Sequence, residues 1–202
     1  MSVAPPSRKE AIWLACRKKT CCSARLVTPT GRDVWRIARG MDVTPWSFVV
    51  YFEAEPGPDA FALDQSERRY RLALNKRPAR RTKTPWDCMF LLRTRDGHHV
   101  CGLGELRPRS CQAFPSEPVD GILCLAGGCD CRAWALADVD LAEERAAVAA
   151  REEDAAEYAE VVAGWNAAVA AAPEGTALDL ADYCRYLLGV YDAVEGAAGG
   201  EA

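Results

Sequence analysis

The sequence predicts a helix-rich α+β fold: a small cysteine-rich module with a β-hairpin, followed by an antiparallel helical hairpin. Three observations carry this. Nine of the ten cysteines fall before residue 132, and only Cys184 lies beyond. Residues 88–103, "CMFLLRTRDGHHVCGL", place Asp96-Gly97 between two apolar runs, the pattern of a tight hairpin turn. From Asp138 the chain turns Ala-rich and acidic, with apolar residues at helical spacing.

Charge divides the chain at the same place. Residues 1–137 hold 22 Lys and Arg against 14 Asp and Glu, and residues 138–202 hold three Arg against 15 acids. The expected organisation is a module over 1–137, an acidic helical hairpin over 138–195 and a flexible tail over 196–202. No apolar stretch reaches the roughly 18 residues of a membrane span, and "MSVAPPSRKE" lacks the order of a secretory signal. A cytoplasmic location is the expectation, with no membrane partner.

Arg8 to Cys16 reads as a short helix with Ile12 and Trp13 facing inward. Thr30 with Asp33 forms a variant capping box for a helix carrying Val34, Ile37 and Ala38, ended by Gly40. "DVTPWSFVVYF" repeats the logic: Thr44 caps, Pro45 opens a helix, and Trp46, Val49, Val50 and Phe52 go inward. Residues 68–83 carry eight basic residues and no acid, and read as an exposed strand and loop. "GELRPRSCQAFPSEP" is expected to be irregular because of its three prolines, and "GGCDC" to be a tight loop. Residues 138–171 give a stripe of Val148, Tyr158, Val162, Trp165 and Val169. Residues 177–194 give a second stripe with Leu180, Tyr183, Cys184, Leu187, Leu188 and Tyr191. The hairpin they form is expected to pack on the cysteine-rich part.

In a reducing compartment so many cysteines favour metal or redox chemistry over a disulfide framework. Thiolates select zinc, copper(I) and iron–sulfur clusters. The candidates are Cys16, Cys21 and Cys22, then Cys88, Cys101 and Cys111, then Cys129 and Cys131. Cys124 and Cys184 read as buried apolar residues. A two-residue turn at Asp96-Gly97 would set Cys101 opposite Leu92, with Cys88 roughly 13 Å further along the strand. Cys88 and Cys101 then share a metal only if the strands bend or the register differs. Otherwise they serve different sites. Lys18, Lys19 and Arg107 are placed to offset thiolate charge. His98 and His99 sit at the hairpin tip. No nucleophile–base pair, phosphate loop or dinucleotide fingerprint is present, and no catalytic residue is assigned.

The order "C-x4-C-C", "VTPTGRDVWRIARG", "CMFL" and "CGLGELRPRSCQAFP" resembles the YkgJ-like cysteine-cluster family of zinc- or iron-chelating proteins, of CxxCxxCC type. The run Arg107–Pro115 is the most specific part, and the likeness spans about residues 12–131. This chain departs from the family in carrying only Cys16 ahead of the adjacent pair. The resemblance implies chelation of zinc or iron, with an iron–sulfur cluster included, by Cys16, Cys21 or Cys22, Cys88, Cys101 and Cys111. Cys129 and Cys131 are either a second metal contribution or a redox-active pair. Flagellin lysine N-methylases carry a similar cluster, so the alternative is a metal- or cluster-dependent group-transfer enzyme such as a protein lysine methylase. A third reading is a metal-stapled adaptor that binds nucleic acid or protein through residues 68–83. Only Tyr70 could stack on a base there, so nucleic acid is not the expected partner, a protein partner stays open, and a solvated face or a dock for the acidic helices is the plainer reading of that run.

Overall fold

The computed structural model describes residues 7–16, 19–79, 86–127, 129 and 134–199. Among the described residues six α-helices and eight short strands form an α+β fold. The strands pair as four separate antiparallel two-stranded sheets. The chain divides into two compact units, Met1–Val27 with Lys76–Arg151, and Thr28–Asn75 with Glu152–Ala202. This division follows packing rather than the change of composition at Asp138.

The second unit holds the larger apolar core. Helix α3 (Gly31–Met41) starts at the expected capping box, in which Thr30 and Asp33 bond each other's backbone N–H. Val34, Ile37 and Ala38 are buried as expected. Pro45–Ser47 form only a 3-10 turn, and β1 (Val49–Ala54) follows where a helix was expected. The run Phe48–Phe52 is β-branched and aromatic, which suits a pleated strand better than a helix. Trp46 and Val50 are consequently exposed. β2 (Arg69–Leu74) pairs with β1, with Val49 opposite Leu74. Its Arg69, Tyr70 and Arg71 are half-buried and its Leu72, Ala73 and Leu74 buried, so among the described residues of the basic run only Arg68, Arg77 and Pro78 are exposed.

Helix α5 (Leu141–Ala171) begins at Asp140, whose carboxylate accepts the Ala142 and Glu143 N–H groups. Helix α6 (Leu180–Gly199) begins at a reciprocal cap between Asp179 and Asp182. It runs four residues into the expected tail. The Tyr158 and Tyr183 hydroxyls meet at 2.8 Å, and Trp165 packs on Tyr183 and Tyr186. The helices therefore form the expected antiparallel hairpin, and within the second unit their shared face meets residues 28–75. Phe61 stacks on Tyr183 with ring centroids 3.9 Å apart. Asn166 binds Ala62 N–H and Ala60 C=O at 2.8 and 3.0 Å, as a neighbouring strand would. Arg32 reaches Glu157 and Glu195, and Arg39 reaches Asp192.

The first unit is built from short pieces. Helix α1 (Arg8–Ala15) is capped by Ser7, and one helical turn, α2 (Thr20–Ser23), follows. β3 (Lys76–Pro78) pairs with β4 (Trp86–Cys88), and β5 (Leu91–Arg93) with β6 (His99–Cys101). Helix α4 (Arg109–Ala113) precedes β7 (Ser116–Val119), so the proline-broken stretch is ordered, which differs from the sequence reading. Its prolines sit where none interrupts a helix: Pro108 is the N-cap residue of α4, and Pro118 is in an edge strand. β8 (Ile122–Leu125) returns along β7 through Asp120 and Gly121, both at positive φ. That is the two-residue Asp-Gly turn expected at Asp96-Gly97. Among the described residues, seven of the 27 buried apolar residues belong to this unit. Its interior also holds an ion pair: Lys9 Nζ lies 2.7 Å from Glu144 Oε2, which also accepts from Ser116 Oγ.

Candidate metal centre

Five cysteines from separate stretches of the chain lie in the first unit: Cys21 and Cys22 on α2, Cys88 on β4, Cys101 on β6 and Cys111 on α4. Helix α1 ends at Cys16, whose N–H bonds Ile12 and Trp13 carbonyls. Lys19, at φ 48°, turns the chain back. Its ammonium folds under α1 to the Trp13 and Leu14 carbonyls and lies 3.6 Å from the centre of the Trp13 ring. α2 then presents Cys21 and Cys22 with sulfurs 3.7 Å apart. Lys76 on β3 donates to Ser23 O at 3.0 Å, tying α2 to the β3–β4 sheet that carries Cys88.

The strands that carry Cys88 and Cys101 depart from a flat two-residue hairpin in both of the ways the sequence left open. The strand breaks after Cys88 into a turn at Met89 and Phe90. The register also differs: Leu91 pairs with Cys101 and Arg93 with His99. Thr94 N–H bonds His98 O, leaving a three-residue loop with Gly97 at φ 86°. This is the type I turn plus left-handed glycine, not the two-residue turn. Moving the turn by one position exchanges the face on which every β6 side chain lies.

Both sulfurs are approached by backbone N–H groups. Phe90 N–H is directed at Cys88, and Leu103 and Gly104 N–H at Cys101. Gly104 has φ 53°, which lets the chain turn tightly enough to aim them. Hydrogen bonds of this kind favour the thiolate. Burial acts against it, and raises both thiols above their ordinary range. The thiol of Cys101 raises Cys88, and that of Cys21 raises Cys101. Cys22 is pushed far up, first by its contact with Cys21, then by burial, then by the charges of Cys21, Cys111 and Cys88. Cys21 takes the opposite course and falls to about 6, because Cys22 and the Trp13 indole donate to it and Lys19 stands beside it. Cys111 is on α4, where Gln112 Nε2 holds Arg107 O at 2.6 Å.

The cations are distributed around this group. Lys19 favours the Cys21 thiolate, Lys76 and Arg77 that of Cys88, and Arg107 that of Cys101. The sequence pointed to Lys19 and Arg107. Trp13, Lys76, Arg77 and the amides were missed; Lys76 and Arg77 carried no signal beyond membership of the basic run. Lys18 and Cys131 lie outside the described residues, as do Arg80, Arg81 and Lys83.

The remaining cysteine and histidine candidates lie on other segments. Cys16 and Cys129 are not among the groups acting most strongly on Cys21, Cys22, Cys88 and Cys101. Cys129 closes a turn onto Ala126 O. Cys124 is half-buried on β8 opposite Glu117. Cys184 is fully buried in the other unit, its thiol pushed up to about 12 by burial. His98 is exposed beside Asp96.

Residue type alone, several thiols with amide N–H groups on two sulfurs and cations near them, is that of thiophilic metal sites in general. Among the described residues, no three His, Cys, Asp or Glu side chains stand at coordination spacing. No helix of the described residues is long and apolar enough to cross a membrane. No family model, curated protein or solved structure matches the chain.

Proposed function

We propose that the protein chelates zinc or iron, as an ion or an iron–sulfur cluster, through the thiolates of Cys21, Cys22, Cys88, Cys101 and Cys111. One observation carries the reading: Cys21 and Cys22 stand with sulfurs 3.7 Å apart on α2, which packs on the strand that carries Cys88, and Cys101 and Cys111 are close enough to raise the thiols of that group. Five neighbouring thiols would repel as thiolates, and a cation removes that repulsion. The resemblance of the "CMFL" and "RPRSCQAFP" runs to the cysteine-cluster family supports the same conclusion.

Core size supports it further. The first unit buries few apolar residues, and small cores are commonly held by a metal. Joining Cys22 to Cys88 through a metal closes a loop of about 65 residues, which restricts the unfolded chain. Thiolate chelation suits a reducing compartment, and a cytoplasmic location is part of the proposal.

Purification with and without oxygen, followed by elemental analysis and visible absorption, tests the proposal. Stoichiometric zinc in a colourless protein, or iron and sulfide in a brown one, supports it. A folded protein without metal under both conditions overturns it.

A further inference from the structure

Lys9, on α1, lines an open cleft of about 280 Å³ in the first unit, between that helix, the Gly104–Leu106 turn and α4. Ligand sites run from roughly 300 Å³ upward, so this space takes only a small molecule. Trp13, Phe114 and Trp134 supply flat apolar walls. Lys19 and Arg25 sit over the Trp13 and Phe114 rings and fix their positions. Glu10, Glu105 and Arg107 put both signs of charge on the lining, so the aromatic walls rather than a net charge set what the cleft accepts.

The lysine has the surroundings of an amine nucleophile. Its Nζ lies 2.7 Å from Glu144 Oε2, the carboxylate oxygen that also accepts from Ser116 Oγ. A carboxylate in contact can take the ammonium proton and return it. Lys9 is sheltered but not sealed, with 21% of its side chain exposed. Desolvation lowers its pKa against the pull of Glu144 and Glu143, and the charge of Arg107 acts in the same direction as burial. Burial and a neighbouring cation are the two means by which lysines are activated toward carbonyl compounds.

We propose that Lys9 captures a small uncharged aromatic aldehyde as an imine, with the ring of the aldehyde held among Trp13, Phe114 and Trp134. Lys9 first gives a proton to Glu144. The amine lone pair then attacks the carbonyl carbon, the C=O π pair moves to oxygen, and a carbinolamine forms. A proton leaves nitrogen for Glu144, and one returned to the carbinolamine hydroxyl lets it depart as water. The C–N double bond forms without any net oxidation or reduction. The protonated imine carries the charge that the ammonium carried, so the buried Glu144 carboxylate keeps its counter-charge. The proposal goes beyond metal chelation and does not depend on it.

Reductive trapping on the full-length protein tests it. Benzaldehyde at millimolar concentration is added with sodium cyanoborohydride, which reduces an imine to a stable benzylamine, and the adducts are mapped by peptide mass spectrometry. The chain has five lysines, Lys9, Lys18, Lys19, Lys76 and Lys83, so each is scored against the others in one sample. Lys9 is expected to label roughly 100-fold faster than the other four, the lower end for a positioned acid–base group. Its rate should saturate with benzaldehyde, and benzyl alcohol, which fills the cleft but forms no imine, should slow Lys9 alone. Trp134→Leu should remove the saturation while leaving the other lysines unchanged. The benzyl alcohol competition needs no variant, so it decides the matter even where that substitution unfolds the unit. Labelling of Lys9 no faster than the other lysines overturns the proposal. Fast Lys9 labelling that neither saturates nor yields to benzyl alcohol also overturns it.

Discussion

The sulfurs of Cys21 and Cys22 lie 3.7 Å apart on a single helical turn, and their environments drive them in opposite directions. One proton shared by two close thiols favours one thiolate, and Lys19 with the Trp13 indole decides which. In reduced, metal-free protein, alkylation at Cys21 should therefore rise with a midpoint near pH 6, while Cys22 stays unreactive. Mass spectrometry of the alkylated peptide, sampled across pH, reads this directly. A midpoint near the ordinary thiol value of 9 would remove the asymmetry.

The same shift fixes the sign of a stability change in metal-free protein. The Cys21 value is held below that of the unfolded chain, so its contribution is full above pH 9 and is lost as pH falls through about 6. Cys22 is raised, so stability is lost as pH climbs above 9. Denaturant midpoints should then fall on both sides of a maximum near pH 9 for this pair. Cys21→Ser should flatten the acid limb.

Metal affinity should discriminate among the cysteines. Serine at position 88, 101 or 111 removes a donor and should weaken zinc or iron binding beyond the roughly 10–100-fold seen for groups that only support a ligand. Cys184→Ala, in the core of the other unit, should leave metal content unchanged while lowering stability. Elemental analysis of the variants beside unfolding curves separates the two effects.

Much of the architecture was legible because it rests on local chemistry. Thr30 and Asp33 announce a helix start, and the stripe from Val148 to Val169 announces a buried face. The two Asp-Gly pairs show where this fails. Asp120-Gly121 makes the tight turn, whereas Asp96-Gly97 is part of a wider loop, although the dipeptides are identical. Register is set by what the flanking strands bury, and that is not a property of the dipeptide. The site was legible as a set of thiols. Its amides and Lys76 were not, because sequence spacing does not show which backbone groups a turn aims at a sulfur. The partner of the helical hairpin was hidden for a similar reason: an apolar stripe shows that a face is buried, not what it meets.

Packing around Gly31 gives a stability prediction. A Cβ there would stand 2.7 Å from Tyr191 Cε2 and 3.0 Å from Tyr158 Cδ2, and both rings are buried. Gly31→Ala should cost about 1–3 kcal/mol, the range for overpacking a core. Gly189→Ala on α6, where a Cβ meets nothing within 4 Å, should be neutral or stabilising by up to about 1 kcal/mol. Equal denaturant midpoints for the two variants would contradict this packing.

Glu144 is 2% exposed and receives both Lys9 and Ser116. Glu144→Ala leaves a desolvated ammonium without its counter-charge, and should destabilise by about 3 kcal/mol, at the lower end for a broken buried pair. Lys9 is 21% exposed, which keeps the figure at that end. A change below about 0.5 kcal/mol in urea unfolding would place the pair in effective contact with water.

Zinc titration of the reduced, metal-free protein, with alkylation mapped by mass spectrometry, tests chelation most directly. Cys21, Cys22, Cys88, Cys101 and Cys111 should become protected together, at the same equivalents of metal, while Cys124 continues to react. Protection of none of the five, or of a different set of cysteines, would contradict a shared thiolate site.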